Sequence, residues 1–103
     1  MEIHNHNLNI HYSLPDGIWD KLTELYKEMR GWSGFIDGIP HWYAQDNDKR
    51  IINASVEPSG LQFYVEMHQE EWNTWFELFK KEASTLLGFE VGEPEDGFEF
   101  NNI

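Results

Sequence analysis

Apolar and polar positions alternate strictly near the start of the chain. From His4 the even positions read His4, His6, Leu8, Ile10 and Tyr12, and the odd ones Asn5, Asn7, Asn9 and His11. A period of two marks a strand with one buried face, so Leu8, Ile10 and Tyr12 are expected to point inward. Beyond Pro15 the period changes, and Ile18, Leu22, Leu25, Tyr26 and Met29 recur at helical spacing. Pro15 suits a first helical turn and Gly31 a C-terminal cap, which predicts a helix over about 15–30.

The stretch GWSGFIDG, from Gly31 to Gly38, reads as a glycine-rich connection carrying aromatic residues. After it, IPHWYAQ, KRIINASVE and LQFYVEM are β-rich runs separated by turns at DND and PSG. They predict three antiparallel strands, at about 40–45, 50–57 and 61–67. The segment QEEWNTWFELFKKEASTLLG then sets Trp72, Trp75, Phe76, Phe79, Ala83, Leu86 and Leu87 at helical spacing, with Gly88 as its end. Residues 88–103 are acidic and turn-rich, with a short strand expected at GFEF. The order β-α-β-β-β-α predicts an α+β fold, a mostly antiparallel sheet with two helices packed on it, in one globular domain over 1–103. The two helices fit the same sheet face or a split by the first strand.

Composition sharpens this reading. The chain has 103 residues, with five Trp, seven Phe and four Tyr, enough large rings to seal one small core. It contains no Cys, which excludes a disulfide framework and thiolate chemistry and fits a reducing, cytoplasmic setting. No apolar run approaches the roughly 18 residues of a spanning helix, so no membrane association is expected. The start of the chain lacks the basic and apolar regions of a secretory signal.

Charge changes the picture most. Nineteen acidic against seven basic residues give −12. Such a chain repels nucleic acid and anionic membranes and attracts basic proteins, so a basic protein partner is expected and direct nucleic-acid binding is not. In the predicted first helix Asp16, Asp20, Glu24 and Glu28 follow one another at i,i+4 steps. Like charges at that spacing cost about 0.2–0.5 kcal/mol per pair, and Glu28 lies at the end where the helix dipole opposes an anion. The C-terminal segment adds Glu90, Glu93, Glu95, Asp96 and Glu99 without a single base, with Phe89, Val91, Phe98 and Phe100 expected to hold it against the domain. Glu93, Glu95 and Asp96 are candidate contact residues there. Trp32, Phe35 and Trp42, set among glycines, are candidate aromatic anchors of the kind that dominate protein interfaces. Either Trp42 or Tyr43 must face the core, because neighbours on a strand point to opposite sides.

Motifs for chemistry are weak. His4 and His6 share a strand face, and His41 or His68 would have to complete a metal site. Two ligands at a frayed strand start fall short of the three or four that zinc needs, and no metal or other cofactor is expected. The run DNDKRIINASVE begins and ends like a calcium loop, but Arg50 and Ile51 stand where that loop needs an oxygen ligand and a glycine. There is no G-x-S-x-G elbow and no phosphate-cradling loop, so an enzyme is not expected.

A cysteine-free, strongly acidic, Trp-rich α+β chain with the ending LLGFEVGEPEDGFEF resembles the small immunity proteins of bacterial toxin–immunity systems. The resemblance implies neutralisation of one cognate toxin, often a basic nuclease, by covering its active site. The acids of the first helix would then occupy the path of the substrate phosphates. The same charge also suits a nucleic-acid mimic directed against defence proteins. A small-molecule-binding domain would instead use Trp32, Trp42 and the aromatic loop as a pocket.

Overall fold

In the computed structural model, which describes residues 1–100, the chain runs β1 (Glu2–Leu8), α1 (Asp16–Glu28), β2 (Trp32–Ile36), β3 (Ile39–Trp42), β4 (Ile51–Glu57), β5 (Gly60–Met67) and α2 (Gln69–Leu87). A single 3-10 turn, Pro94–Asp96, follows. This is an α+β fold. The strands form one antiparallel sheet in the order β1-β5-β4-β3-β2. The chain therefore starts at one edge, crosses by α1 to the other, and returns through a four-stranded meander until β5 pairs with β1, Leu8 opposite Leu61.

The strand β2 corrects the expectation of a connection at Gly31–Gly38. Asp37 and Gly38 both take positive φ, 52° and 79°, and close a two-residue turn between the paired Ile36 and Ile39. Asp-Gly is the favoured pair for such a turn because its backbone twist matches that of the strands it joins. The expected C-terminal cap at Gly31 also shifts: α1 stops at Glu28, and Gly31, at φ 90°, bends the chain into β2. At the other hairpin Gly60 is forced by two constraints. Its φ is 126°, and a Cβ there would lie 2.1 Å from the Leu8 carbonyl oxygen of β1.

Both helices lie on the same face of the sheet. Phe63, on β5 near the sheet's centre, is fully buried among the rings of Trp72, Trp75, Phe76 and Phe79 from α2. Tyr26 of α1 sets its ring edge-on to Trp42 of β3 at 5.4 Å, and the Trp42 indole N–H donates to the Tyr26 carbonyl at 2.9 Å. The helical stripe read from the sequence explains this, since Leu22, Leu25, Tyr26 and Met29 are all buried. In α2 Leu86 departs from its stripe and is 38% exposed. The opposite sheet face, carrying Ile3, Asn5, Gln62 and Tyr64, has no such cover among the described residues.

Alternation in the first strand breaks after Leu8, where β1 ends. Leu8 and Ile10 are buried as expected, but Tyr12 is 59% exposed because the chain has already turned. The same turn buries Asn9, an outward position in the strict alternation. Its side-chain amide donates to the carbonyls of Glu90 and Glu99, and its side-chain oxygen accepts from the Gly92 N–H. These bonds, with the backbone bond from the Asn9 N–H to the Gly92 carbonyl, dock the acidic C-terminal segment. Val91 is buried and Phe89, Phe98 and Phe100 are half-buried, and Phe98 lies over Gly92, where a Cβ would meet its ring at 2.4 Å. The GFEF stretch forms no strand. Residues 101–103 of the acidic segment lie outside the described residues.

Two variants test these constraints. Gly60→Ala should lower stability by about 2 kcal/mol or more in urea denaturation, since it combines a disfavoured φ with a backbone clash. Asn9→Ala should cost about 1–3 kcal/mol by leaving the buried Gly92 N–H unpaired and removing two part-buried bonds to carbonyls, and should speed proteolysis between residues 90 and 100.

Candidate functional site: acidic helix surface and adjoining cleft

Helical geometry fixes where the acids of α1 point. With Leu22, Leu25 and Tyr26 facing the sheet, Asp16, Asp20, Glu24 and Glu28 fall on the outer side, and all four are exposed. Only Glu24 has a cationic neighbour within reach among the described residues, Lys27 at 3.8 Å. On α2 the acids Glu70, Glu71, Glu77 and Glu82 are exposed too. No acid of the chain is buried, and only Asp46, Glu57, Glu66 and Glu93 are even half-buried. The outer line of α1 is thus anionic, whereas α2 mixes its acids with Lys80 and Lys81, and the open sheet face presents mainly amides, hydroxyls and isoleucines with Glu57 and Glu66.

The remaining candidate contact residues divide. Glu95 and Asp96 are exposed on the 3-10 turn. Glu93 instead turns inward, accepting a hydrogen bond from the His6 Nδ1–H at 3.0 Å. Phe35 is 48% exposed, and Trp32 is half-buried against Trp42, Tyr26 and Phe35. Trp42 has no exposed surface, so it anchors the core and is out of a partner's reach. Its ring lies 5.6 Å from that of Trp32, and of the two indoles only Trp32 lines a surface cavity, with Gly31, Ser33, Tyr43, Gln45 and Asp46.

The histidines are likewise accounted for by structure. β1 begins at Glu2, so His4 is no frayed start: it is buried beside Trp72, its Nε2–H donating to the Met67 carbonyl at 2.9 Å. His41 bonds the Ile39 carbonyl, and His68 is exposed before α2. Among the described residues no three His, Asp or Glu side chains are placed to share a metal ion.

One feature of the surface was not read from the sequence. A cleft of about 410 Å³ opens between the end of α1, the end of β5 and the first turns of α2. The buried Met29, Met67 and Trp75 form its floor, and Arg30, Tyr43, Glu70, Glu71 and Leu78 its rim. Its lining comes from segments far apart in the chain, so no local pattern announces it.

The rim is held by Arg50. Its guanidinium pairs with both oxygens of Asp46, at 2.9 and 3.1 Å, and reaches Glu71 of α2 at 2.5 Å. It also lies over the Tyr43 ring, 4.6 Å from the centroid. Tyr43 is a bulky residue at φ 61°, a conformation that costs about 1–3 kcal/mol. It is held there by a hydrogen bond from its N–H to the Gly31 carbonyl at 2.7 Å. Its ring packs where a Cβ on Gly31 would stand, at 2.7 Å. Burial pushes the Tyr43 phenol up, against the opposing charges of Arg50 and Arg30. The hydrogen bonds from Arg50 hold the Asp46 carboxyl below its usual value of 3.8.

Comparison of the chain with protein-family models, curated proteins and solved structures gives no match. No helix among the described residues is long and apolar enough to cross a membrane.

The Asp46 bond sets a pH dependence. A carboxyl whose folded pKa is depressed contributes stability in full above its unfolded pKa, near 3.8, and loses it as pH falls through the lower folded value. Wild type should therefore exceed Asp46→Asn in melting temperature at pH 6, and the gap should close as pH drops below about 3.8. Thermal unfolding followed by circular dichroism checks this.

Proposed function

We propose that this chain is an acidic protein-binding module, an immunity-type inhibitor that covers the active site of a basic partner such as a nuclease toxin. The observation that carries the reading is the outer line of α1. Asp16, Asp20, Glu24 and Glu28 repeat along the outer face of α1, all exposed and only Glu24 in an ion pair among the described residues, on a chain of net charge −12. Self-repulsion on that scale works against folding, and a cationic partner removes it. The field of these acids would steer a basic protein toward them and speed association.

The aromatic contribution rests on Phe35 and the exposed edge of Trp32, with Glu95 and Asp96 as a further acidic contact. An inhibitor of this kind neutralises its partner by occupying the groove through which an anionic substrate would pass. The acids of α1 supply the negative charge that a phosphate backbone would otherwise supply.

Affinity capture from the native host's lysate at low salt, followed by salt elution, should yield one basic protein in stoichiometric amount. Against that protein Asp20→Lys with Glu24→Lys should slow association about tenfold and flatten its dependence on ionic strength. Elution of many unrelated DNA-binding proteins would replace the reading with a nucleic-acid mimic, and unchanged association kinetics would remove α1 from the interface.

A further inference from the structure

We propose that the cleft at the end of α1 is a receptor for an arginine side chain presented by the partner. The inference rests on the reading of a basic partner for the source of that side chain, while the cleft's own chemistry selects a guanidinium. At about 410 Å³ the cleft falls within the range of small-ligand sites, about 300–1,000 Å³. Its floor of Met29, Met67 and Trp75 is apolar and adaptable, since thioethers fit surfaces of irregular shape. Such a floor takes the methylene stem of a long side chain.

The rim decides the head group. The lining sets Glu70 and Glu71 against Arg30, and behind the rim Arg50 is shared between Glu71 and Asp46, so the group counts three acids against two bases on an already anionic chain. The Glu70 carboxylate has no ion-pair partner among the described residues, and Glu71 shares only one of its oxygens with Arg50. A guanidinium, planar and with five donors, meets two separated carboxylates better than a compact ammonium, and loses less hydration in doing so.

The cleft is also built in advance. Arg50 fixes Glu71 from one side and the Tyr43 ring from another, and Tyr43 is kept in its strained conformation at the rim. Trp75 is locked by its indole N–H, which donates to the Arg30 carbonyl at 3.0 Å. Strain of this kind persists where the surroundings over-determine it, and it clusters at binding sites. A rim that does not rearrange on binding keeps the entropic cost of binding low.

The test needs no partner. ¹⁵N-labelled chain is titrated with N-acetyl-arginine amide, and with the neutral citrulline and the anionic glutamate counterparts, following the Trp75 indole and Thr74 amide signals. Saturable shifts with the arginine compound, and none with the other two, are expected. Glu70→Gln should weaken binding about threefold, the weight of one exposed charge pair, and Arg30→Gln should tighten it by a similar factor. Both residues are exposed, so both variants should fold. Equal binding of the citrulline compound, preference for glutamate, weakening by Arg30→Gln, or no saturable shift would each overturn the proposal. None of these outcomes depends on whether α1 meets a protein, so this site and the proposed interface fail separately.

Discussion

The fold depends on the ring of Phe63. It stands on β5, the strand that pairs with both β1 and β4, and it is fully buried among four rings of α2, with the Trp42 ring 6.4 Å away. A long helix that offers Trp72, Trp75, Phe76 and Phe79 from one side has a single place where so much apolar area is covered, directly over this strand. α1 packs on the same face beside it, and Tyr26 closes the layer against Trp42 and Phe79. The domain is therefore two-layered and asymmetric, one sheet face sealed and the other open.

That asymmetry sets what each helix exposes. Helices that bury one stripe must expose the other: α1 lines up Asp16, Asp20, Glu24 and Glu28, whereas α2 exposes Glu70, Glu71, Glu77 and Glu82 among Lys81 and neutral polar residues. The other eleven of the nineteen acids lie in the strands, turns and C-terminal segment. Polar contacts then define the edges of the helix layer. Arg50 ties the turn after β3 to the start of α2 through Asp46 and Glu71. Asn9 ties the C-terminal segment to the end of β1. Both replace many weak contacts by a few directional ones between residues far apart in the chain. The rim of the cleft and the acidic 3-10 turn acquire fixed positions from them.

The candidate residues show what periodicity can and cannot reach. Asp16, Asp20, Glu24 and Glu28 were legible because a helix with a known buried stripe leaves no choice for the opposite side. Phe35 and Trp32 were candidates on composition alone, and they keep the exposed surface that Trp42 lacks. Alternation required either Trp42 or Tyr43 to be inside, but not which of them. Glu93 resembles its neighbours Glu95 and Asp96 in every local respect, and only the approach of His6 turns it inward. The edge strand β2 was legible in principle from Asp37-Gly38, whose turn chemistry was outweighed by the glycines around it.

By itself the sequence determined both helices, the strands β1, β3, β4 and β5, most of the buried stripes of α1 and α2, the turn at PSG and the sign of the net charge, because each follows from composition or from spacings of a few residues. Tertiary structure alone decided that both helices share a face, that Asn9 and His4 are inside, and that Met29, Tyr43, Met67, Glu70 and Trp75 meet around one cleft. The physical reason is range. Periodicity and turn chemistry act between neighbours in the chain, whereas burial of Phe63 and the bonds of Arg50 and Asn9 join residues whose separation along the chain carries no signal.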